Sequence, residues 1–218
     1  MPRALVFDFD STLIAVESLE EILAPKLDRD LKAQLEEITR LGMNGQLDFR
    51  SSLAQRLALV QPQRWEVEAF GRIAFNHLAP GAEDLIQRVL RRGIQVWIIS
   101  GGLLESILPL ASHLGIPADQ VLAVQCEWSE SGQFLGLPDR PQQYEKVLAF
   151  QSVADRILRP VWAIGDGFTD YQLYAQACVD RFYAFTAFQN RPFITKHQVP
   201  TVGSMNQLDR LIEEDHNG

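Results

Sequence analysis

Leu5-Val6-Phe7-Asp8-Phe9-Asp10-Ser11-Thr12 joins a short apolar run to two carboxylates one residue apart. A run of this length and composition reads as a buried β-strand. Side chains alternate along a strand, so Asp8 and Asp10 project to the same side, about 7 Å apart. Two aspartates at the end of a buried strand repel each other and resist desolvation, which calls for positive charge beside them. Taken alone, the pair also fits an ordinary solvated turn.

A second acidic cluster, Gly165-Asp166-Gly167-Phe168-Thr169-Asp170, tips that balance. It follows another apolar run, Val161-Trp162-Ala163-Ile164. Between the two clusters, Gln95-Val96-Trp97-Ile98-Ile99 ends in Ser100-Gly101-Gly102. Three buried strands thus end in polar, glycine-containing loops that each open a helix. In an open α/β sheet such carboxyl ends converge on one crevice.

The rest of the chain alternates in the same way. Helix 82–92 is expected to stop at Gly93, followed by strand 94–99, a helix from about Leu103 to Leu114 and strand Val121–Val124. Glu127 to Leu137 reads as a hairpin. A helix from about Gln142 to Leu158 then leads to strand 161–165. Helix 170–177, strand 181–185, a short helix near 190–196, strand 199–202 and a last helix from about 204 complete the order. This alternation predicts an α/β fold, a Rossmann-like, mainly parallel sheet with helices on both faces.

Residues 15–78 break the alternation. Apolar residues recur there at helical spacing (Leu19, Ile22, Leu23; Leu31, Leu35, Ile38; Phe49, Leu53, Leu57, Val60; then Trp65 and Ile73). Pro25, Gly42-Met43-Asn44-Gly45 and Gln61-Pro62 divide them into three or four helices. The segment is too long for a simple crossover. It predicts a helical cap over 15–78 inserted into a catalytic core made of 1–14 and 79–218.

Composition narrows the function classes. The 218 residues are 46% hydrophobic and 22% charged, enough for a large core and too apolar for disorder. A net charge of −8 with no Lys/Arg-rich run argues against nucleic-acid binding. Arg88, Arg91 and Arg92 read as the basic end of a helix. Cys126 and Cys178 do not suggest a disulfide framework, and the histidines at 77, 113, 197 and 216 have no zinc spacing. No apolar stretch approaches the roughly 18 residues of a membrane span, and a cytoplasmic location is expected.

The motifs D-F-D-S-T, S-G-G and G-D-G-x-x-D, in this order, resemble the haloacid dehalogenase superfamily and its phosphoserine phosphatase branch. Glu17 and the segment Gln55-Arg56-Leu57-Ala58-Leu59-Val60-Gln61-Pro62 share the likeness. The resemblance implies a phosphomonoesterase dependent on Mg²⁺, with Asp8, Asp166 and the backbone carbonyl of Asp10 as ligands. Magnesium suits such oxygen donors and offsets charge on the phosphoryl group. Asp8 would be the nucleophile, and Asp10 the acid and base at the leaving oxygen. Asp10 as a turn cap is the plainer alternative. Ser100, Gly101 and Gly102 would hold phosphoryl oxygens at a helix start. Asp170 would support the metal site; as a helix N-cap it needs no such role.

The same resemblance implies a basic residue on the phosphate. Aligned on Val147-Leu148, Tyr144 falls at that position and Lys146 two residues late. Lys146 and Arg140 are both candidates, and Lys146 is equally readable as a solvated helix residue. In the cap, the resemblance implies Arg56 on a substrate carboxylate, Glu17 on its ammonium, and Met43 and Phe49 as apolar contacts. An arginine at the edge of a helix's buried stripe also fits a side chain snorkelling past the core. Phosphoserine is therefore the expected substrate. Another small phosphorylated metabolite, with hydrolysis or phosphotransfer, is the alternative, followed by an inactive metabolite-binding homologue.

Overall fold

The computed structural model describes residues 1–43 and 46–217, with the side chains of Gly42, Met43, His216 and Asn217 outside that description. Six strands form one sheet: β1 (Ala4–Phe7), β2 (Gln95–Leu103), β3 (Val121–Val124), β6 (Val161–Gly165), β7 (Arg181–Phe185) and β8 (Thr201–Val202). The hairpin strands β4 (Glu127–Trp128) and β5 (Phe134–Gly136) pair antiparallel outside it. The six are parallel throughout, in the order β3-β2-β1-β6-β7-β8. From β1 the chain winds outward through β2 and β3, then returns to β6 on β1's other side. Loops leaving β1 and β6 therefore diverge to opposite faces, which opens a crevice at their carboxyl ends.

Four helices follow β1: α1 (Ser18–Leu23), α2 (Arg29–Met43), α3 (Phe49–Val60) and α4 (Arg64–Ile73). Where the chain enters and leaves this block, Ala15 N–H donates to the His77 carbonyl and Ala79 N–H to the Leu13 carbonyl, each at 2.8 Å. The block also rests on the remainder of the chain through α4. A methyl group on Gly71 would stand 2.7 Å from the Glu105 carbonyl oxygen, so only glycine permits this approach. Trp65 and Ile73 are among the apolar residues recurring at helical spacing. In the structure they are 61% and 50% exposed, and α4 instead buries Val67 and Phe70. The apolar period was real, but its phase was set by the neighbours.

Beyond the block lie α5 (Ala82–Arg91), α6 (Leu104–His113), α7 (Lys146–Gln151), α8 (Phe168–Ala175), α9 (Pro192–His197) and α10 (Met205–Asn217). Strand alternation separates two cores. Leu5, Phe7, Val96, Ile98, Trp162 and Ile164 pack with Leu85, Ile107 and Leu208 from α5, α6 and α10. Ala4, Val6, Trp97, Ile99 and Ala163 pack with Phe150, Leu173 and Ile194 from α7, α8 and α9. Helices thus cover both faces, as the alternation predicted.

Several boundaries differ. β2 continues through Ser100-Gly101-Gly102 to Leu103, so this segment is strand and not loop. The helix expected over 142–158 is a short α7 flanked by single turns at Pro141–Gln143 and Ala154–Arg156. The strand expected over 199–202 is only Thr201–Val202. No helix among the described residues is long and apolar enough to cross a membrane.

Candidate active site

The first carboxylate leaves the sheet in register, since Asp8 N–H still donates to the Ile164 carbonyl at 2.9 Å. Phe9–Leu13 then makes one wide turn, closed by Ile14 N–H on the Phe9 carbonyl at 3.0 Å. Ser11 takes a left-handed φ of 50° inside it. A non-glycine residue there costs about 1–3 kcal/mol and persists only where its surroundings hold it. Here Ser11 N–H donates to Val16, and Ser11 Oγ donates to Glu17 Oε1 at 2.8 Å.

The same turn aims Asp10. Its carboxyl accepts from Ser18 N–H at 2.8 Å and Ser18 Oγ at 3.1 Å. Ser18 is a buried orienting residue that the sequence reading missed. Burial and the nearby Glu17 push Asp10 up to about 8, against the pull of the Ser18 N–H. The upward shift favours the protonated form, which suits a proton donor.

The second cluster folds over the first. Asp170, in the first turn of α8, accepts from Gly167 N–H at 3.1 Å. This brings its carboxyl across the end of β6, where a methyl group on Gly165 would stand 2.3 Å from Asp170 Cγ. Gly165→Ala is expected to cost about 1–3 kcal/mol through overpacking. In a chain of this size that lowers Tm by roughly 2–12 °C. Calorimetry checks this, and an unchanged Tm would show that Asp170 yields freely.

Lys146 answers the demand for positive charge. It is the first residue of α7, and its Nζ lies 2.8 Å from Asp8 Oδ1 and 2.6 Å from Asp170 Oδ1. Burial opposes its charge, but Asp170 and Asp8 outweigh burial and hold its pKa above the ordinary lysine value. Arg140 instead reaches Gln125 at 3.3 Å. The lysine two residues late therefore occupies the site, because the turn at 141–143 delivers the start of α7 directly to the strand ends. Tyr144 points away, its hydroxyl donating to the Pro138 carbonyl.

A cavity of about 230 Å³ is bounded by Asp8, Asp10, Glu17, Phe49, Arg56, Ser100, Gly101, Gly102, Lys146 and Asp166. Asp170 lies just behind its wall. Phe49, at the start of α3, rests on Gly101, where a methyl group would meet its Cζ at 2.7 Å. Gly102 N–H donates to Ser100 Oγ at 3.0 Å, which leaves the Ser100 hydroxyl hydrogen free to donate elsewhere. The contact expected of Met43 lies outside the described residues. Arg56 is half-buried next to Leu53 and Leu57, and burial lowers its pKa while Glu20 and Glu17 oppose the shift. Among the described residues it makes one hydrogen bond, Nε to the Ser52 carbonyl at 3.4 Å, and no ion pair.

Arg191 was not anticipated. Its Nε and Nη2 lie 2.9 and 2.8 Å from Asp166 Oδ2. It belongs to no motif. The available signal was its place in the loop after strand 181–185, at the carboxyl end of a parallel strand.

Asp8, Asp166 and Asp170 are buried, with carboxylate oxygens within 4.8 Å of one another. Burial and the charge of Asp8 push Asp166 up to about 6, against the pull of Arg191. A site this short of positive charge, with only oxygen donors, fits a hard divalent cation.

Comparisons agree with this geometry. A crystal structure of a phosphoserine phosphohydrolase-like protein from Francisella tularensis superposes with a TM-score of 0.87 at 38% identity, covering 96% of this chain and 99% of that one. Mouse phosphoserine phosphatase is 33% identical over 187 residues, 84% of this chain and 80% of the relative. A phosphoserine phosphatase solved as an analogue of its phospho-aspartyl intermediate has the same fold, with a TM-score of 0.73 at 24% identity over 97% of each chain. The haloacid dehalogenase-like hydrolase model matches residues 5–175. The chain belongs to that family and is a phosphoric monoester hydrolase.

Proposed function

We propose that this hydrolase converts O-phosphoserine and water to serine and phosphate, through an aspartyl-phosphate on Asp8 and with Mg²⁺. The observation that carries the substrate is Arg56, a half-buried guanidinium without a carboxylate partner among the described residues, lining the cavity that Asp8 and Glu17 also line. A half-buried guanidinium without a carboxylate partner is free to bind one, and its planar fork suits a carboxylate bidentately. Glu17, which lines the same cavity, suits the ammonium.

Asp8 Oδ1 is taken by Phe9 N–H at 2.7 Å and by Lys146, which leaves Oδ2 to attack phosphorus. As the O–P bond forms, the ester bond breaks and Asp10 gives its proton to the seryl oxygen. Asp10 then takes a proton from the water that attacks the aspartyl-phosphate, and phosphate leaves with Asp8 restored. Ser100 and Lys146 steady the phosphoryl oxygens. Asp8, Asp166 and the Asp10 carbonyl would hold magnesium, which would add positive charge beside the phosphoryl group. Residues 15–78 act as a cap that excludes water, and the enzyme works on a small cytoplasmic metabolite.

A second reading has one observation in its favour. A larger cavity of about 800 Å³, floored by Leu23, Leu27 and Leu35, shares Leu19 and Arg56 with the catalytic one. It would admit a longer phosphomonoester.

Phosphate release across a panel of phosphomonoesters decides between them. Phosphoserine should be preferred, with turnover lost in EDTA and restored by Mg²⁺. Losing one member of a buried charge pair costs about 2–5 kcal/mol. Arg56→Ala should therefore lower kcat/KM for phosphoserine by about two powers of ten. Hydrolysis of p-nitrophenyl phosphate, which has neither carboxylate nor ammonium, should fall far less. Equal losses on both would assign Arg56 to cap structure and overturn the substrate.

A further inference from the structure

Arg191 and Lys146 are the two cations bonded to acidic side chains of the cavity, and they are held very differently. Lys146 is 11% exposed and bonds two buried carboxylates at once, so moving it would strand both. The Arg191 side chain is 33% exposed and hydrogen-bonds one, Asp166. It projects from the loop between β7 and α9, immediately before Pro192. A second carboxylate is already close, since Glu17 Oε1 lies 3.6 Å from Arg191 Nη2. Passing from Asp166 to Glu17 exchanges one ion pair for another over a short distance. Lys146 has no such alternative among the described residues.

While the pair stands, Asp166 Oδ2 faces both Nε and Nη2 of the guanidinium. Asp166 Oδ1 stays open to a ligand, but a divalent cation there would sit within a few ångströms of the guanidinium, and like charges at that range oppose each other. We infer that Arg191 is the counter-ion of the metal-free site, neutralising Asp166 until Mg²⁺ takes that carboxylate and then passing towards Glu17. The inference rests on the Mg²⁺ reading above. It makes Arg191 a positioning residue with a definite sign: it stabilises the metal-free protein and competes with the cation.

Calorimetric titration of Mg²⁺ into the EDTA-stripped chain tests this against Arg191→Met, which keeps the length and removes the charge. One opposite charge at 4–6 Å alters a carboxylate's proton affinity by about one to three powers of ten. Arg191→Met should accordingly bind Mg²⁺ about tenfold or more tightly than the unaltered chain. Its Tm should be lower in EDTA, with the gap closing at saturating Mg²⁺. Arg191→Lys keeps the charge without the two-donor contact and should bind with intermediate affinity, so the test survives if the methionine variant does not fold. Binding in either variant equal to or weaker than in the unaltered chain overturns the inference and leaves the metal site standing. An unaltered chain that takes up no Mg²⁺ overturns both.

Discussion

Asp8→Asn is expected to stop turnover by about six powers of ten, the scale on which removal of an attacking group acts, and to leave the protein folded. The asparagine carbonyl still accepts from Phe9 N–H, and Lys146 keeps its 2.6 Å contact with Asp170. What is lost is the anionic oxygen that attacks phosphorus. Rapid acid quench of the unaltered enzyme, followed by peptide mass analysis, should find phosphate on Asp8. A phosphoryl group on any other residue would sink this mechanism. So would residual turnover within a hundredfold of the unaltered rate.

Lys146→Ala comes next in size, for two reasons that separate experimentally. A cation fixed on a transferring phosphoryl group is worth about three to five powers of ten in rate, and kcat/KM should fall accordingly. The substitution also leaves Asp8 and Asp170 buried against each other without their shared ammonium. Burial and Asp8 already raise the pKa of Asp170, and Lys146 pulls against them. Without that pull, Asp170 in the folded protein binds its proton still more tightly relative to the unfolded chain. Stability then falls as pH rises. The variant should accordingly gain Tm as pH drops from neutral towards the ordinary carboxylate range near about 4, more steeply than the unaltered protein. A Tm that follows the unaltered profile would show that the lysine carries no structural charge. A merely few-fold loss of activity would take it out of the phosphate site.

The carboxylates were legible because their positions follow from strand geometry. Asp8, Asp166 and Asp170 lie at or just past the ends of β1 and β6, which read as buried strands from composition alone, and parallel strands bring their carboxyl ends together. Lys146 was harder to place. Whether its side chain reaches the site depends on where α7 begins, and the single turn at Pro141–Gln143 sets that start. Spacing relative to a related pattern suggested a miss of two residues, and the local turn corrected it.

Other features were out of reach for a different reason. α4 shows an apolar period, yet its packing against α6 turns Val67 and Phe70 inward and leaves Trp65 and Ile73 to solvent. Period is a property of one helix; phase belongs to the pair. Ser18 and Arg191 carry no motif, and each acts by touching a residue that does: Ser18 aims Asp10, and Arg191 holds Asp166.

By itself the sequence determined the α/β alternation, the parallel sheet, the helical insertion after β1 and the identity of the acidic groups. These depend on periodicity, on turn residues and on the cost of burying charge, all of which are local. Only the tertiary structure decided which cation meets which carboxylate. The contacts of Lys146 with Asp8 and Asp170, and of Arg191 with Asp166, span 24 residues or more of chain and rest on differences of a few ångströms in where loops end. At such separations the partner is chosen by the packing of whole elements, and no local pattern in the chain encodes it.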